Sequence, residues 1–154
     1  MGGSTASPGL DATDVDIVAA LTANGRLSVN ELAQQVNISR ATAYSRLERL
    51  RTSGVITGFT TVVDPAKMGL PLAVFILLNV DQHAWRTLSD ELRRLPGFEY
   101  LALTSGEFDM VLLVRVADIA ALRDVVLVKL TSLPQIRNTR TIFVLDEQRP
   151  DHTR

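Results

Sequence analysis

The chain has 154 residues, which is enough for one large domain or two small ones, and its formal net charge is -1 at pH 7. Hydrophobic residues make up 46% of the chain, which excludes a disordered polypeptide, and the absence of cysteine excludes a disulfide framework or a thiolate metal site. No apolar run approaches the roughly 20 residues of a membrane span, and the first residues lack the pattern of a secretory signal. These features predict a cytoplasmic protein with no membrane partner.

The first predicted elements are helices. Apolar residues at helical spacing predict a helix from Thr13 to Asn24, which Gly25 ends. A second helix begins with a capping box, in which Ser28 and Glu31 satisfy the amide donors at the helix start. Residues 1–9, which precede these elements, are predicted to be a flexible N-terminus.

A third helix is predicted from the N-cap Ser39 to Gly54, the residue type that favours the left-handed conformation after a helix end. Its apolar residues share one face, so its polar residues point outward. A capped helix, a short turn and a protruding helix form the helix-turn-helix arrangement that enters the major groove of DNA. The predicted DNA-binding residues are Ser39, Arg40, Thr42, Tyr44, Ser45, Arg46 and Arg49.

The charge distribution supports this interpretation. The chain is nearly neutral, yet arginines crowd the third helix with only Glu48 against them, which indicates a directed phosphate-facing surface. The alternative is an ordinary solvated face of an amphipathic helix. For Arg46 a further alternative is an ion pair, either with neighbours of Glu48 on the helix surface or across a domain interface.

After the third helix, residues 55–63 are rich in β-branched residues and predict an extended segment, either a small wing or a strand leading out of the unit. Proline and glycine then bracket a hinge linker over residues 64–71. The predicted DNA-binding domain, a winged helix-turn-helix, therefore covers residues 10–63.

Residues 72–147 predict a second domain in which strands alternate with helices. The expected order is strand Ala73–Val80, helix His83–Leu95, strand Phe98–Thr104, strand Phe108–Val116, helix Asp118–Leu133 and strand Arg137–Asp146. Both helices stop at Leu-Pro, because proline cannot continue a helix. The order is that of a ferredoxin-like βαββαβ fold with an antiparallel sheet and both helices on one face, so the fold class is α+β. Residues 148–154 are a short polar tail.

The strands of this domain indicate an oligomer. Residues 74–78 and 110–114 are apolar at successive positions, which is typical of strands buried on both faces. The two helices cover one face, so the other face is predicted to meet a second subunit in a homodimer. The alternative is a monomer with an exposed apolar sheet, which is rare among soluble proteins.

Seven short motifs follow one another along the chain. They are Leu10-Asp11-x-x-Asp14, Glu31-Leu32-Ala33, Ile38-Ser39, Arg46-Leu47-x-Arg49-Leu50, Gly54-Val55-Ile56-x-Gly58, Ser105-Gly106-Glu107-Phe108-Asp109 and Thr139-Arg140-Thr141. Taken in this order, they resemble those of the Lrp/AsnC, or feast/famine, family of bacterial and archaeal transcription regulators, and the resemblance extends from Leu10 to about Glu147.

The resemblance implies a RAM/Lrp-type C-terminal domain that binds amino acids and dimers that often assemble into octamers. It also implies that the loop from Thr104 to Asp109 helps to form the effector pocket at an interface between subunits, and that Asp109 keeps an acidic position of the family. One departure is Arg40, which stands where many relatives have proline and adds a possible phosphate or guanine contact.

The resemblance also selects the candidate effector site. From the spacing alone, Ser105 and Gly106 are explained as an ordinary hairpin turn with solvated carboxylates nearby. The resemblance instead implies that a carboxylate receives the α-amino group of an amino acid and that hydroxyl groups contact the rest of it. The effector-binding candidates are Thr104, Ser105, Gly106, Glu107, Asp109, Thr139 and Thr141.

The predicted function is a sequence-specific transcriptional regulator that binds double-stranded DNA and whose DNA binding or assembly is modulated by a small effector, an amino acid. The alternative is an architectural protein that bends or compacts DNA without effector control. No nucleophile-base pair or metal cluster can be assembled from the sequence, so no enzyme activity, metal or cofactor is predicted.

Overall fold

The computed structural model describes residues 9–81 and 83–148, and for Leu127 the backbone alone. The predicted flexible N-terminus up to residue 8 and the tail from residue 149 lie outside the described residues. The chain divides into two compact units, an N-terminal unit that ends at Val62 and a C-terminal unit from Val63 to Gln148. Within the described ranges, none of the helices has the length and apolar character needed to cross a membrane.

The N-terminal unit contains three helices. They are α1 (Ala12–Ala23), α2 (Val29–Gln35) and α3 (Arg40–Thr52). The capping box of α2 and the Ser39 cap of α3 are present as predicted, and Gly54 has a left-handed φ of 76°. Helix α1 has a second capping box, formed by Asp11 and Asp14, so it begins one residue before the predicted Thr13.

The core of this unit is small and apolar. Ile17, Leu21, Leu32 and Leu50 are at least nine-tenths buried, and they come from all three helices. Burial of these side chains holds α3 against α1 and α2 and leaves the opposite side of α3 exposed.

The predicted wing is not formed as a strand. Residues 55–64 contain no helix and pair with none of the described strands. Ile56 is held on the unit, since its N–H donates to the carbonyl of Leu50 at 2.9 Å and its side chain packs on the core. Propensity for extended backbone is not enough for a strand, because each strand needs a hydrogen-bonding partner.

The C-terminal unit has the predicted βαββαβ order. Its elements are β1 (Leu72–Val80), α4 (Trp85–Leu92), β2 (Phe98–Leu103), β3 (Met110–Val116), α5 (Ile119–Arg123) and β4 (Ile136–Phe143). The strands form one antiparallel sheet in the order β2-β3-β1-β4, with β1 and β3 in the centre. This arrangement confirms the ferredoxin-like prediction.

Each of these elements differs from its predicted bounds by at least one residue, and the differences are largest for α4, α5 and β4. Helix α4 ends at Leu92 because a turn precedes the proline. Helix α5 continues over Asp124–Leu130 as a π-helix, which the sequence pattern did not predict. Strand β4 ends at Phe143, which pairs with Val74 of β1. One more hydrogen bond, from the N–H of Val144 to the carbonyl of Ala73, closes the ladder.

Both helices cover one face of the sheet. Val74, Ile76, Leu78 and Val80 are buried against a cluster that includes Leu88 of α4 and Leu122 of α5. The alternate residues of each strand point to the opposite side. We call this side the open sheet face, and by strand register it includes Phe75, Leu77, Tyr100, Val111, Leu113 and Ile142.

Candidate DNA interface and effector loop

The outer side of α3 carries most of the predicted DNA-binding side chains. Arg40, Thr42, Tyr44 and Ser45 are all exposed, and 60% of Tyr44 is accessible. Ser39 stays close to the helix: its Oγ accepts from the N–H of Thr42 at 3.1 Å and lies 2.8 Å from the Thr42 Oγ1. The cap thus fixes the first turn of α3 and places two hydroxyl groups at its start.

A shallow depression lies on the same side of α3. Its volume is about 430 Å³, and it is lined by Ala41, Thr42, Ser45, Arg46 and Arg49. The structure therefore brings four of the predicted DNA-binding residues around one surface feature.

Two of the arginines are engaged within the unit. Arg46 Nη1 lies 2.6 Å from Asp11 Oδ2 and 3.0 Å from Asp14 Oδ1, and Arg49 Nη2 also forms an ion pair with Asp14. We call Asp11, Asp14, Arg46 and Arg49 the α1–α3 ion-pair cluster. For Arg46 this is the ion-pair alternative, but its partners are Asp11, the N-cap residue of α1, and Asp14 within α1. Glu48 pairs instead with Arg51, at 2.9 Å.

The cluster perturbs its own carboxyl groups. Burial of Asp14 favours its neutral form, but hydrogen bonds from the N–H of Asp11 and from Arg46 and Arg49 outweigh that effect, so the pKa of Asp14 is lowered. The hydrogen bond from Arg46, followed by that from the N–H of Asp14, also lowers the pKa of Asp11. Both carboxylates in turn raise the pKa of Arg46.

Arg40 differs from these arginines. Its side chain is exposed, and none of the described carboxylates lies within ion-pair distance of it. It occupies the first position of α3, where the helix N–H groups also attract anions.

The predicted effector loop joins β2 to β3. Thr104 closes it twice, since its N–H donates to the carbonyl of Asp109 at 2.9 Å and its Oγ1 donates to the carbonyl of Phe108 at 2.6 Å. Gly106 lies at the exposed part of the loop with a φ of 129°, where an added Cβ would meet no atom within 4 Å. Ser105 and Glu107 on either side of it are exposed.

The end of β1 supports this loop. The Oδ2 of Asp109 accepts from the N–H of Val80 at 2.9 Å, and Asn79 Nδ2 donates to the carbonyl of Glu107 at 2.6 Å. From β4, the guanidinium of Arg140 lies 3.7 Å from the Glu107 carboxylate and 5.2 Å from the centre of the Phe108 ring. Thus one oxygen of Asp109 already has a role in the fold.

The two predicted threonines lie farther away. Thr139 and Thr141 are half-buried on β4, where they pair with Leu78 and Ile76 of β1. Asp109 flanks Leu78 from the other side through its N–H. One strand therefore separates the threonines from the loop, a distance of about 10 Å across two strand spacings.

Sequence reasoning missed four residues around these sites. Asp11 and Asp14 were recognised only as part of a motif, although two carboxylates three residues apart at a helix start are a visible signal. Arg140 lies within a matched motif, and nothing in the sequence distinguishes Asn79. Among the described residues, no group of three or more His, Cys, Asp or Glu side chains could hold a metal ion.

Two family models match the chain. A model described as winged helix-turn-helix DNA-binding matches residues 10–57, and a model described as Lrp/AsnC ligand binding domain matches residues 73–153. Together they cover both compact units of the structure.

Individual proteins match over most of their length. The proline dehydrogenase transcriptional activator of Rhizobium radiobacter is 34% identical, over 94% of this chain and 95% of the relative. The leucine-responsive regulatory protein of Escherichia coli is 32% identical, over 90% of this chain and 86% of the relative. The structure of a transcriptional regulator of Neisseria meningitidis, solved as a complex with L-Met, matches with a TM-score of 0.85. It is 28% identical and covers 92% of this chain and 93% of the relative.

The ion-pair cluster predicts how the N-terminal unit responds to acid. Because the pKa of Asp14 is lower in the folded state than the unfolded value of about 3.9, its stabilising contribution is complete above that value. It is lost as the pH falls through the folded-state pKa. Asp14→Asn is expected to lower the free energy of unfolding by about 1–3 kcal/mol at neutral pH, and by less under acid.

Urea unfolding of the full chain, followed through the amide NMR signals of α1, measures this difference from neutral pH to about pH 3. Asp16→Asn is the matched control, because Asp16 is exposed on the same helix and has no ion pair with any described residue. A difference for Asp14→Asn that stays constant with pH would contradict the assigned role of the cluster.

Proposed function

The chain belongs to the Lrp/AsnC family of transcriptional regulators, and on that premise we propose a specific division of its two sites. The outer side of α3 recognises a duplex DNA sequence, and the loop from Thr104 to Asp109 binds an amino acid that modulates DNA binding or assembly. Family membership confirms the prediction of a DNA-binding regulator with a ligand-binding domain rather than an enzyme.

The observation that supports the DNA site most directly is the exposed polar side of α3. Arg40, Thr42, Tyr44 and Ser45 project from a helix that is fixed by its cap and by burial of Leu50. Arginine donates two parallel hydrogen bonds to guanine, whereas hydroxyl groups mostly contact phosphates. We assign Arg40 to a phosphate or guanine contact, because it also lies at the positive end of the α3 dipole.

Arg49 belongs to the same surface. Its side chain is 54% exposed although one guanidinium nitrogen is paired with Asp14. An arginine has five N–H donors, so a single partner leaves capacity for a phosphate.

The effector site rests on the chemistry of the loop. The exposed Glu107 and the remaining oxygen of Asp109 suit an α-amino group, and the exposed guanidinium of Arg140 suits an α-carboxylate. The backbone at Gly106 is open to close approach. The relative from Neisseria meningitidis was solved with L-Met, which favours an amino acid as the ligand class here.

We also propose that the chain works as a homodimer that assembles further into an octamer. The open sheet face carries large apolar side chains, of which Tyr100 is 54% and Ile142 is 45% exposed in the single chain. Such a surface is typical of a face that a second subunit covers. A two-fold dimer would bind paired half-sites about one helical turn apart, or a multiple of that. The proposed location is the cytoplasm.

Fluorescence anisotropy with the DNA upstream of the protein's own gene tests both sites together. Saturable binding is expected, and one or two amino acids are expected to shift the affinity. Asp109→Asn should weaken this shift while leaving DNA binding intact, because asparagine still accepts from the N–H of Val80 but carries no charge. Asp90→Asn, an exposed site on α4, is the control.

Specific binding that is indifferent to every amino acid would favour the architectural alternative. A full response in Asp109→Asn would remove Asp109 from the effector site. Absence of specific binding by the wild-type chain would contradict the assignment of α3 itself.

Arg40→Gln is expected to reduce the salt dependence of DNA binding. Each phosphate contact contributes about 0.9 to the slope of log K against log salt, so loss of one contact should make the slope shallower by that amount. Arg93→Gln is the matched control, because Arg93 is exposed in the C-terminal unit. Equal slopes for the two variants would exclude Arg40 from a phosphate contact, and lost sequence preference at an unchanged slope would indicate a guanine contact.

Phe75→Asp is expected to dissociate the homodimer, because Phe75 lies on the central strand β1 within the open sheet face. Sedimentation equilibrium should give a wild-type mass above the 16.9 kDa of one chain and a lower mass for the variant. Ile119→Asp, at an exposed apolar site on α5, is the control. A wild-type mass of one chain at every concentration would contradict the proposed dimer.

A further inference from the structure

The α1–α3 ion-pair cluster is more elaborate than the solvation of an arginine-rich helix requires. Both carboxylate oxygens of Asp11 lie 2.6 Å from Arg46 Nη1, and Asp14 adds a third contact at 3.0 Å. The Arg46 side chain is 26% exposed, and that of Asp14 is completely buried. Arg46 thus differs from Arg40, which projects from the same helix and has none of the described carboxylates as a partner.

We propose that Asp11 and Asp14 withhold the guanidinium of Arg46 from DNA, so that Arg46 is a positioning residue that fixes α3 on α1 rather than a phosphate contact. We call this pair of carboxylates the acidic clamp. The inference rests on the proposed function, in which the outer side of α3 contacts DNA. It assigns the contacts to Arg40, Arg49 and the exposed hydroxyl groups of that helix.

An exchange of partners explains why Arg46 stays in the clamp. To contact a phosphate, Arg46 would give up charge-assisted hydrogen bonds to two carboxylates and gain similar bonds to another anion. Asp14 would then remain buried with only Arg49 opposite it, and a buried charge that loses a partner is costly. The exchange therefore brings little net gain in binding free energy.

The clamp also limits attraction to phosphates in general. Asp11 is half-exposed beside α3, so its negative charge opposes the approach of any DNA backbone. Groups that disfavour unspecific partners raise specificity at the cost of affinity. Combined with the exposed Arg40, the clamp would leave α3 with fewer sequence-independent contacts than its arginine content suggests.

Slopes of log K against log salt on a random-sequence duplex distinguish this role from a direct contact. Asp11→Asn keeps an N-cap for α1, because asparagine caps as well as aspartate, but it removes one charge of the clamp. The expected result is tighter binding at low salt and a slope steeper by up to about 0.9. Asp16→Asn removes the same charge from the same helix without touching Arg46, and its slope should stay closer to that of the wild type.

Arg46 itself gives the second comparison. Arg46→Gln is expected to weaken binding at every salt concentration and to change the slope by less than the loss of one phosphate contact, whereas Arg40→Gln makes the slope shallower by that full amount. Arg46→Lys keeps the charge but not the planar fork that holds two carboxylates. For a positioning residue it should fail to restore affinity, and for a phosphate contact it should restore it. If Arg46→Gln does not fold, Arg46→Lys and Asp11→Asn decide the question.

The clamp is overturned if Arg46→Gln makes the slope shallower by about 0.9, if Arg46→Lys restores full affinity, or if Asp11→Asn and Asp16→Asn have equal slopes. These outcomes are separable from failure of the proposed function, which would show in the wild-type chain. If that chain binds no duplex, the DNA assignment and the clamp fall together. If the wild-type chain binds duplex DNA but the variants give the contradicting outcomes above, only the proposed role of the clamp is wrong.

Discussion

A single buried carboxylate organises the N-terminal unit. Asp14 is inaccessible to solvent, and a charge in that position must be matched by hydrogen bonds and opposite charges if it is to remain ionised. The N–H of Asp11 and the guanidinium groups of Arg46 and Arg49 supply that match. Because these partners come from the start of α1 and the middle of α3, satisfying Asp14 also sets the rotation of α3. The side chains that face outward follow from this constraint.

The C-terminal unit uses a carboxylate in a related way. Asp109 bonds to the end of β1 through its side chain, and its backbone bonds to both Leu78 and Thr104. The loop between β2 and β3 is therefore not an independent turn but an extension of the central sheet. A ligand that engages the remaining oxygen of Asp109 would meet a group that is already oriented, which lowers the entropy lost on binding.

Local signals carried most of the fold prediction. Ser28 with Glu31 and the Ser39 cap are each determined by neighbours in sequence and form as expected, whereas the two helices before the Leu-Pro pairs end earlier than predicted, at Leu92 and Leu130. The α1–α3 ion pairs join residues 32 to 35 positions apart, so spacing alone did not reveal them. The predicted wing over residues 55–63 forms no strand for the same reason. Its β-branched residues indicate a preference for extended backbone, but they do not identify a strand to pair with.

In the candidate sites, too, features set by local sequence were predictable, and features set by contacts between distant residues were not. Exposure of Thr42 and Ser45 was predictable, because helical periodicity places them on the side of α3 away from Ala43 and Leu50. The engagement of Arg46 was not, because an arginine on a helix surface looks alike in sequence whether its partner is a phosphate or a carboxylate. In the effector loop, Asn79 contributes from β1, which only the register of the folded sheet brings beside Glu107.

The contrast between Arg40 and Arg46 connects the ion pairs within the fold to the surface that α3 offers to DNA. Both belong to α3, yet one has two carboxylate partners and the other has none among the described residues. On the proposed role of the acidic clamp, counting arginines overestimates the attraction of this helix for DNA. Since each phosphate contact makes affinity more dependent on salt and less dependent on sequence, a helix with some of its arginines neutralised discriminates better between sites. In a nearly neutral chain, specificity then depends on where the positive charge is left exposed more than on how much of it there is.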